Sequence, residues 1–558
     1  MSPWIPARSA RGVPAPADRL TRDELLYEAS ERFADRHPEH SAKAGLTMWQ
    51  RLLPAMFVAA VLVALFVNWQ STLVAVLVLA NLAFLANVGF KVISTLFRPL
   101  YRLSQRDLRR AQRKAMAERG FASLDAVVAG ANLPVYTILV PVYQEANVIG
   151  QILESFEDLR YPKDRLDVLV LLEESDSQTI AAARAANPPA NVRLLIIPDG
   201  QPRTKPRACN YGLLFARGEY VVIYDAEDRP EPDQLLKVLG TFRHAERSTA
   251  AAHTRPLACV QASLNYYNAD YNVLTRMFSI EYAHWFDSML PGMDVVGCPI
   301  PLGGTSNHFL RSALVEVGGW DPYNVTEDAD LGLRLSSSGY RVDVVDSTTW
   351  EEATAHVGPW IRQRTRWIKG YMVTAAVNLR HPITWTRKNG PTGLTSMLGL
   401  ILGTPVAFLL YPIALGFTLG TWLLGPVFEV WLPRWLLDIG TLNMVWLNGL
   451  MVILSGIAAW RRYNWRIAAF AVFLPIYWLL HGIAAWRAAI QIGTDPHRWE
   501  KTPHGLTEEY DDSTVGSNGL PHSAASITSW GRAAPASDPQ SISEAPATAL
   551  TTNRPGSP

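Results

Sequence analysis

The sequence predicts an α/β domain inserted between transmembrane α-helices. Long apolar stretches lie on both sides of the middle of the chain, and the middle holds short apolar runs of strand length. The composition agrees, because 49% of the 558 residues are hydrophobic and 19 are tryptophan, a residue that favours the membrane–water interface. Lys and Arg number 51 and Asp and Glu 50, so this near-neutral balance gives no reason to expect a nucleic acid as a partner.

The first membrane segment is predicted to be a hairpin. Residues 1–50 are polar and begin without an apolar signal-peptide core, so we expect them to be a cytosolic N-terminal segment. The apolar runs 52–69 and 73–90 are each long enough to cross a hydrocarbon core of about 30 Å. Basic residues flank the pair on both sides. The positive-inside rule therefore predicts that residues 51–98 form a hairpin with both ends in the cytoplasm.

Residues 130–392 have the pattern of an α/β domain. Segments 147–159 and 209–216 have helical periodicity. Short runs rich in β-branched residues fit buried parallel strands at 135–142, 166–172, 192–197 and 219–224.

The C-terminal part is predicted to return to the membrane over residues 393–490. Two spans are expected at 441–460 and 467–486, whereas 394–432 fits either two short spans or an interfacial helix with one span. The chain would then have five or six spans in total. Residues 507–558 are rich in Ser, Pro, Ala and Thr and are predicted to be disordered.

Two acidic groups are candidates for chemistry. Asp225, Glu227 and Asp228 directly follow the fourth predicted strand, and ligands of open α/β sheets lie outside the carboxyl ends of the strands. These residues either hold a divalent cation or only cap the next helix. The second group, Glu327 and Asp328, either supplies a base that accepts a proton or only places acidic residues in the first turn of a helix.

Basic and aromatic residues complete the candidate site. Lys205 stands before a predicted helix, where its ammonium group can pair with a phosphate. Farther on, Trp367 offers a flat apolar face to a sugar, and Arg366 can pair with a diphosphate. The alternative for Gln363, Arg366 and Trp367 is that they belong to an ordinary amphipathic helix at the membrane surface.

Taken in their order along the chain, these acidic, basic and aromatic residues resemble the motifs of the processive family-2 glycosyltransferases, which include cellulose, hyaluronan and curdlan synthases. The resemblance covers about residues 50–505. It implies a cytosolic, GT-A-like (Rossmann-like) catalytic domain in a multi-pass protein of the inner or plasma membrane. The implied reaction moves a sugar, with glucose expected from its frequency in the family, from a UDP-sugar to a growing β-linked polysaccharide. The implied mechanism is an inverting single displacement, with translocation of the product through the membrane helices.

The resemblance also implies a role for each matching residue. Asp328, with Glu327 beside it, matches the catalytic base, and Asp225 with Glu227 matches the Asp-x-Asp that holds Mg²⁺ or Mn²⁺. Glutamate replaces the aspartates of the family at positions 173, 174 and 227, so that Asp176 is an alternative contact for the nucleotide. The residues expected to contact the nucleotide sugar or the acceptor are Glu145, Glu173, Glu174, Lys205, Asp225, Gln363, Arg366 and Trp367.

Two further segments resemble parts of the family. Gly303 and Gly304 resemble a glycine turn near the acceptor, and residues 491–506 resemble a gating loop that closes over the nucleotide. The expected partners are a UDP-sugar, a polysaccharide or glycolipid acceptor, membrane lipid and cell-envelope export proteins. Two alternatives stay open: a non-processive enzyme that glycosylates a membrane lipid, and a catalytically inactive polysaccharide-export subunit, which the Asp-to-Glu differences favour.

Overall fold

A computed structural model describes residues 19–118, 132–147, 149–248, 255–425, 430 and 432–495. All of them belong to one compact unit, Met1–Tyr510. The predicted gating loop at 491–506 lies outside these residues from position 496 onward, and the predicted disordered tail at 507–558 lies wholly outside them.

The α/β domain is built on one mixed sheet, which has eight strands in the described residues. The order of its strands is β3-β2-β1-β4-β7-β6-β8-β5. The strands are β1 (Tyr136–Val142), β2 (Leu166–Glu173), β3 (Val192–Ile197), β4 (Tyr220–Ile223), β5 (Arg229–Pro230), β6 (Leu257–Tyr266), β7 (Asn307–Leu310) and β8 (Arg341–Glu351).

The four strands predicted from the sequence are present, and they pair in parallel as β3-β2-β1-β4. Both faces of this part of the sheet are covered, because Ile138 and Val140 of β1 pack in one apolar cluster and Leu139 packs in another. Beyond β4 the direction changes, since β7 is antiparallel to β4 and to β6. The sequence analysis did not predict β5–β8.

Helices connect and cover these strands. They are α1 (Arg22–Ser30), α2 (Arg32–Arg36), α3 (Met48–Leu96), α4 (Arg98–Glu118), α5 (Ile149–Glu157), α6 (Ser177–Ala185), α7 (Lys205–Phe215), α8 (Gln234–Ser248), α9 (Val273–His284), α10 (Leu290–Val295), α11 (Arg311–Glu316), α12 (Glu327–Ser337), α13 (Val357–Asn378), α14 (Pro382–Ser396), α15 (Gly403–Leu423), α16 (Arg434–Thr441), α17 (Asn448–Arg462), α18 (Trp465–Ala469) and α19 (Leu474–Thr494).

The polar segment before α3 packs on the α/β domain. Ser41 donates a hydrogen bond to the buried carboxylate of Asp321 over 3.2 Å, and Arg380 donates to the carbonyl oxygen of Gly45 over 2.8 Å. These contacts hold residues 19–47 against loops far along the chain.

Four helical stretches among the described residues are long and apolar enough to cross a membrane: Met48–Asp107, Pro382–Leu423, Arg434–Arg462 and Trp465–Thr494. Inside α3 the backbone is extended at Asn68 (φ −152°, ψ 90°), close to the predicted joint of the hairpin. Gln50 near the start of α3 donates to the carbonyl oxygen of Ala376 over 2.6 Å, and Thr95 near its end bonds to His284 over 2.9 Å. Both ends of α3 therefore contact the described α/β domain and the helices packed on it.

The ambiguous region 394–432 holds one candidate span in its described residues. It belongs to Pro382–Leu423, whose first helix is broken at Gly390 (φ 69°). The described chain after the α/β domain thus contains three candidate spans.

Candidate active site

A single cavity of about 530 Å³ extends from the carboxyl ends of the parallel strands to the membrane helices. Its inner lining includes Phe408 of α15, Ser455 of α17 and Trp478 of α19. Glu174, in contrast, does not line it. The predicted site residues that do line it are Glu145, Glu173, Lys205, Asp225, Glu227, Glu327, Asp328, Gln363, Arg366 and Trp367.

Glu173, the last residue of β2, is held by an arginine. The side chain of Arg207 on α7 is completely buried and forms an ion pair with the Glu173 carboxylate. Burial raises the pKa of Glu173 above its ordinary value, and Arg207 partly offsets this effect. The carboxylate at position 173 is therefore fixed by a buried basic partner.

Glu174 and Asp176 have other contacts. The Glu174 carboxylate accepts hydrogen bonds from Arg22 over 2.6 Å and from the backbone N–H of Asp199 over 3.0 Å. The pair with Arg22 is exposed. Asp176 caps α6 by accepting from the backbone N–H of Thr179 over 3.1 Å. The structure therefore places both residues away from the cavity.

Asp225 lies just beyond the end of β4 and is paired with Lys205. The Lys205 ammonium group also donates to the carbonyl oxygen of Gly304 over 2.7 Å. Asp228 lies behind this pair, where it accepts from the backbone N–H of Asp225 over 2.7 Å and from the Thr305 hydroxyl. Hydrogen bonds within the acidic turn and to Thr305 therefore hold its shape, and β5 separates the turn from the next helix, which starts at Gln234.

The electrostatics of this turn favour a cation. Burial raises the pKa of Asp228 well above its ordinary value, and the neighbouring carboxylates of Asp225 and Glu227 raise it further. One Asp228 oxygen, Oδ1, is buried without a hydrogen-bond partner. The described residues contain no group of three or more His, Cys, Asp or Glu side chains arranged around a metal. Mg²⁺ is commonly held by one or two carboxylates and substrate phosphates, so the two cavity carboxylates Asp225 and Glu227 fit such an ion.

Glu327 and Asp328 are the first residues of α12, where the positive end of the helix dipole favours negative charge. The Thr326 side chain does not cap this helix. It packs instead against Gly370 of α13, where a Cβ atom would lie 2.2 Å from the Thr326 methyl carbon. Only glycine at position 370 lets α13 approach so closely. This contact fixes the acidic residues relative to α13.

The pKa of Asp328 is raised by burial, although the backbone N–H of Ala329 and the charges of Lys205 and Arg366 oppose this effect. Burial and the Asp328 carboxylate together raise the pKa of Glu327 to about 8. A carboxyl group with a raised pKa is a better proton acceptor than one in water, so the site suits a general base.

The residues Gln363, Arg366 and Trp367 lie on α13, and all three line the cavity. Arg366 donates to the carbonyl oxygen of Val325 over 3.4 Å, which brings its charge beside the start of α12. The interpretation of these residues as an ordinary amphipathic surface helix is therefore not supported, since they face the cavity that Asp328 also lines.

The sequence analysis missed several cavity residues. Arg364 lies inside the Gln-Arg-Thr-Arg-Trp run and could have been recognised there. Glu351 and Glu352 form an acidic pair, and Arg203 lies two residues before Lys205, so these could also have been recognised. The remaining four stand alone among apolar or aromatic residues and gave no local signal. The charged and histidine residues of the cavity that were missed are Lys91, Arg203, Glu281, His284, Glu351, Glu352, Arg364 and His481.

Comparison with known proteins agrees with the motifs. Residues 134–370 match the family model described as "Glycosyltransferase like family 2". Residues 134–370 are a family-2 glycosyltransferase domain. The predicted family-2 glycosyltransferase domain is thereby confirmed, as is a GT-A-like α/β domain between apolar helices.

Curated relatives match mainly over this family-2 domain. The chain is 29% identical over 242 residues to "Probable glycosyltransferase YdaM" of Bacillus subtilis, a match that covers 43% of this chain and 55% of the relative. It is 28% identical to "Glucomannan 4-beta-mannosyltransferase 2" of Arabidopsis thaliana, covering 39% of this chain and 40% of the relative. It is 25% identical to "Beta-monoglucosyldiacylglycerol synthase" of a Nostoc species, covering 43% and 49%. The chain thus matches about half the length of these relatives.

A solved structure with a similar arrangement is "Mannosyltransferase PcManGT from Pyrobaculum calidifontis in complex with GDP-Man and Mn2+". It has a TM-score of 0.41 and 19% sequence identity, and the match covers 73% of this chain and 99% of that chain.

Proposed function

We propose that this protein is a membrane glycosyltransferase that moves a sugar from a UDP-sugar to the growing end of a β-linked polysaccharide. One observation carries the proposal: a single cavity joins the carboxylates at the strand ends, Asp328 and the Gln363–Trp367 run to the membrane helices. A nucleotide sugar could enter at the sheet, and a lengthening product could leave along the helices. Glucose is the expected sugar.

The nucleotide would bind at the sheet end of the cavity. Glu173, held by Arg207, offers a fixed acceptor for a base or ribose donor, and Glu145 lies beside it in the lining. Lys205 is paired with Asp225, and its ammonium group could exchange this carboxylate for a diphosphate oxygen. Asp225 and Glu227 would hold Mg²⁺ or Mn²⁺, which neutralises the charge of the departing diphosphate when it is bound.

Asp328 would act as the base, with Glu327 beside it. The acceptor hydroxyl gives its proton to the Asp328 carboxylate, and its oxygen forms a bond to the anomeric carbon. The bond from that carbon to the diphosphate breaks, and its electron pair leaves with UDP. Because the attack and the departure occur on opposite faces, an α-linked donor yields a β-linked product. Arg366 would pair with the leaving diphosphate, and Trp367 with Gln363 would hold the acceptor sugar.

The end of α19 lies beside α13. The carbonyl oxygen of Asp495 accepts a hydrogen bond over 3.3 Å from Lys369, two residues beyond Trp367. The gating role of residues 491–506 is proposed from the resemblance alone. The position of α19 beside α13, and the basic residues around the first hairpin, favour a multi-pass protein with its catalytic domain in the cytosol, where export proteins of the cell envelope would receive the product.

A membrane lipid is the second candidate acceptor. The cavity reaches Phe408, Met451 and Trp478 on the membrane helices, where a lipid could enter, and one relative is named as a synthase of a glucosyl lipid. The length of the product separates the two reactions, since a lipid acceptor receives one sugar and a polysaccharide many.

The test is release of the nucleoside diphosphate, UDP or, from GDP-mannose, GDP, by the purified protein in lipid nanodiscs with Mg²⁺ or Mn²⁺. UDP-glucose, UDP-N-acetylglucosamine, UDP-galactose and GDP-mannose are compared as donors. Asp328→Asn should lower turnover by about 10²- to 10⁴-fold, the usual contribution of a general base. Asp233→Asn is the matched control, because Asp233 is a partly exposed aspartate that pairs with Lys237 outside the cavity lining. Equal turnover in Asp328→Asn and wild type would exclude Asp328 as the base, and no release with any donor would contradict the proposed function.

A further inference from the structure

A second set of charged residues, which the proposed chemistry does not use, lies at the acceptor end of the cavity. The two terminal nitrogens of Arg364 on α13 donate to the two carboxylate oxygens of Glu281 on α9, over 2.7 and 2.6 Å. The hydroxyl of Tyr477 on α19 donates to the same carboxylate over 2.8 Å. The pair is therefore bidentate and joins three helices.

Arg364 also lies against aromatic rings. Its guanidinium carbon is 4.3 Å from the centroid of the Phe278 ring and 4.5 Å from that of Trp367. Trp360 is 5.3 Å away, and its indole N–H donates to the Tyr477 hydroxyl over 3.1 Å. Since a guanidinium group stacks on aromatic faces as a rigid plane, the direction of Arg364 and the tilt of the Trp367 ring depend on each other.

Glu281 sets the direction of Arg364. The bidentate contact fixes the plane of the guanidinium group as well as its position. The residue after Glu281, Tyr282, lines the cavity and lies 6.2 Å from Trp367 with an angle of 30° between the ring planes. The helix α9 thus touches Trp367 directly through Tyr282 and indirectly through Arg364.

We infer that Glu281 and Arg364 are positioning residues for the acceptor: they hold the Trp367 ring at the angle on which the acceptor sugar stacks. Tyr477 ties this angle to the membrane helix α19. The inference rests on the proposed function, because it takes Trp367 as the surface for the acceptor. A pair that only joined helices would affect stability and leave the affinity for the acceptor unchanged.

The test is Arg364→Lys, which keeps the positive charge and removes both the bidentate contact and the planar stacking. Cellobiose, two β-linked glucose units, serves as the soluble acceptor for the wild type and each variant. We expect the KM for cellobiose to rise by about tenfold, while the KM for the nucleotide sugar and the kcat at saturating cellobiose stay within about twofold. Tyr477→Phe, which removes only one hydroxyl, should raise the KM for cellobiose by about threefold.

Arg276→Lys is the matched control. Arg276 also lies on α9 and stacks on an aromatic ring, with its guanidinium carbon 4.6 Å from the centroid of Phe470, but it does not line the cavity. All its kinetic constants should equal those of the wild type. An unchanged KM for cellobiose in Arg364→Lys, or equal rises in Arg364→Lys and Arg276→Lys, would overturn the inference.

A second measurement separates this inference from the proposed reaction. If the wild type releases no nucleotide with any donor, the proposed function fails, and titration calorimetry of cellobiose binding then decides the inference. Binding that Arg364→Lys weakens by about tenfold and Arg276→Lys leaves unchanged supports the positioning role. Equal binding by the wild type and both variants, or no binding at all, refutes it.

Discussion

Two ion pairs line the cavity, one at the proposed nucleotide end and one at the proposed acceptor end, and they are built differently. Lys205 and Asp225 meet at the proposed nucleotide end through one ammonium group and one carboxylate oxygen, and the Asp225 side chain is 31% exposed. Arg364 and Glu281 meet at the proposed acceptor end through two parallel hydrogen bonds. The Glu281 side chain is also 31% exposed, but the Arg364 side chain is only 6% exposed, against 17% for Lys205.

This difference in contact geometry determines how easily each pair can change partners. A compact ammonium group on a flexible stem forms and exchanges partners easily, whereas a planar guanidinium in a bidentate contact is fixed in direction. The first pair is open to a diphosphate or a divalent cation, so binding can rearrange it. The second pair is enclosed by aromatic rings and serves as a rigid support. The nucleotide end is therefore adaptable, and the acceptor end is fixed.

The largest effect on stability is expected from breaking the rigid pair. Glu281→Gln removes the negative charge and leaves Arg364 buried without a counter-charge, which costs about 3–5 kcal/mol. Thermal unfolding in nanodiscs should show a clearly lower midpoint for this variant. Asp225→Asn is the comparison, and its midpoint should change by less than the equivalent of about 1 kcal/mol, because Lys205 is more exposed than Arg364 and keeps its hydrogen bond to the carbonyl oxygen of Gly304. Equal midpoints for the two variants would show that the pairs do not differ in rigidity.

The adaptable pair should matter for activity instead. Asp225→Asn removes one of the two carboxylates proposed to hold the metal, so we expect the Mg²⁺ or Mn²⁺ concentration for half-maximal activity to rise by about 10- to 100-fold, as for other disrupted metal sites. The measurement is activity against metal concentration. Asp233→Asn is the control, since Asp233 also pairs with a lysine, Lys237, over 3.0 Å but lies outside the cavity lining. A similar metal requirement in both variants would remove Asp225 from the metal site.

The smallest effect is expected in the pH profile. Burial raises the pKa of Asp328, and Lys205 is among the groups that lower it. A base works only when it is deprotonated, so turnover should rise with pH through this raised pKa. Lys205→Met removes a positive charge that lowers the pKa, and we expect the acid limb of kcat against pH to move upward by about one unit.

The rigid pair should not contribute to this profile. Although burial alone would raise the pKa of Glu281, Arg364 and its other partners lower it to about 2, so Glu281 stays ionised over the range in which the enzyme is assayed. Arg276→Met is the control for charge removal. An acid limb that does not move in Lys205→Met, or that moves equally in Arg276→Met, would contradict the assignment of Asp328 as the titrating base.

The sequence was sufficient to predict the parallel strands β1–β4 but not the strands β5–β8. Strands β1, β2 and β4 are buried on both faces and β3 is partly buried, so all four appear as continuous apolar runs. The structure places them within one residue of the predicted bounds. Strand β7 begins with Asn307 and His308, which are buried because they bond to other polar groups. Such strands lack the apolar pattern from which strands are predicted.

The candidate site shows the same division. Asp225 follows a strand and Asp328 starts a helix, so local sequence was enough to select them, and both line the cavity. Glu281 lies 83 residues before its partner Arg364, and nothing near it in the sequence distinguishes it from a surface carboxylate. Glu174 was also selected from local sequence, but it does not line the cavity. Its neighbour Glu173 does, whereas Glu174 bonds to Arg22 outside it. Which side chains meet across helices depends on packing that local sequence does not encode.

The contact between Ser41 and Asp321 has a consequence for biosynthesis. The two residues are 280 positions apart in the sequence, and α3 is part of the chain that separates them. At about 5–20 residues per second, a ribosome needs about 14–56 s to add that length of chain. During this time Ser41 lacks its Asp321 partner, whereas Glu174 and Asn210, which residues 19–47 also contact, are made earlier. The contacts of this segment with Asp321 and Arg380 are therefore late steps in the assembly of the protein.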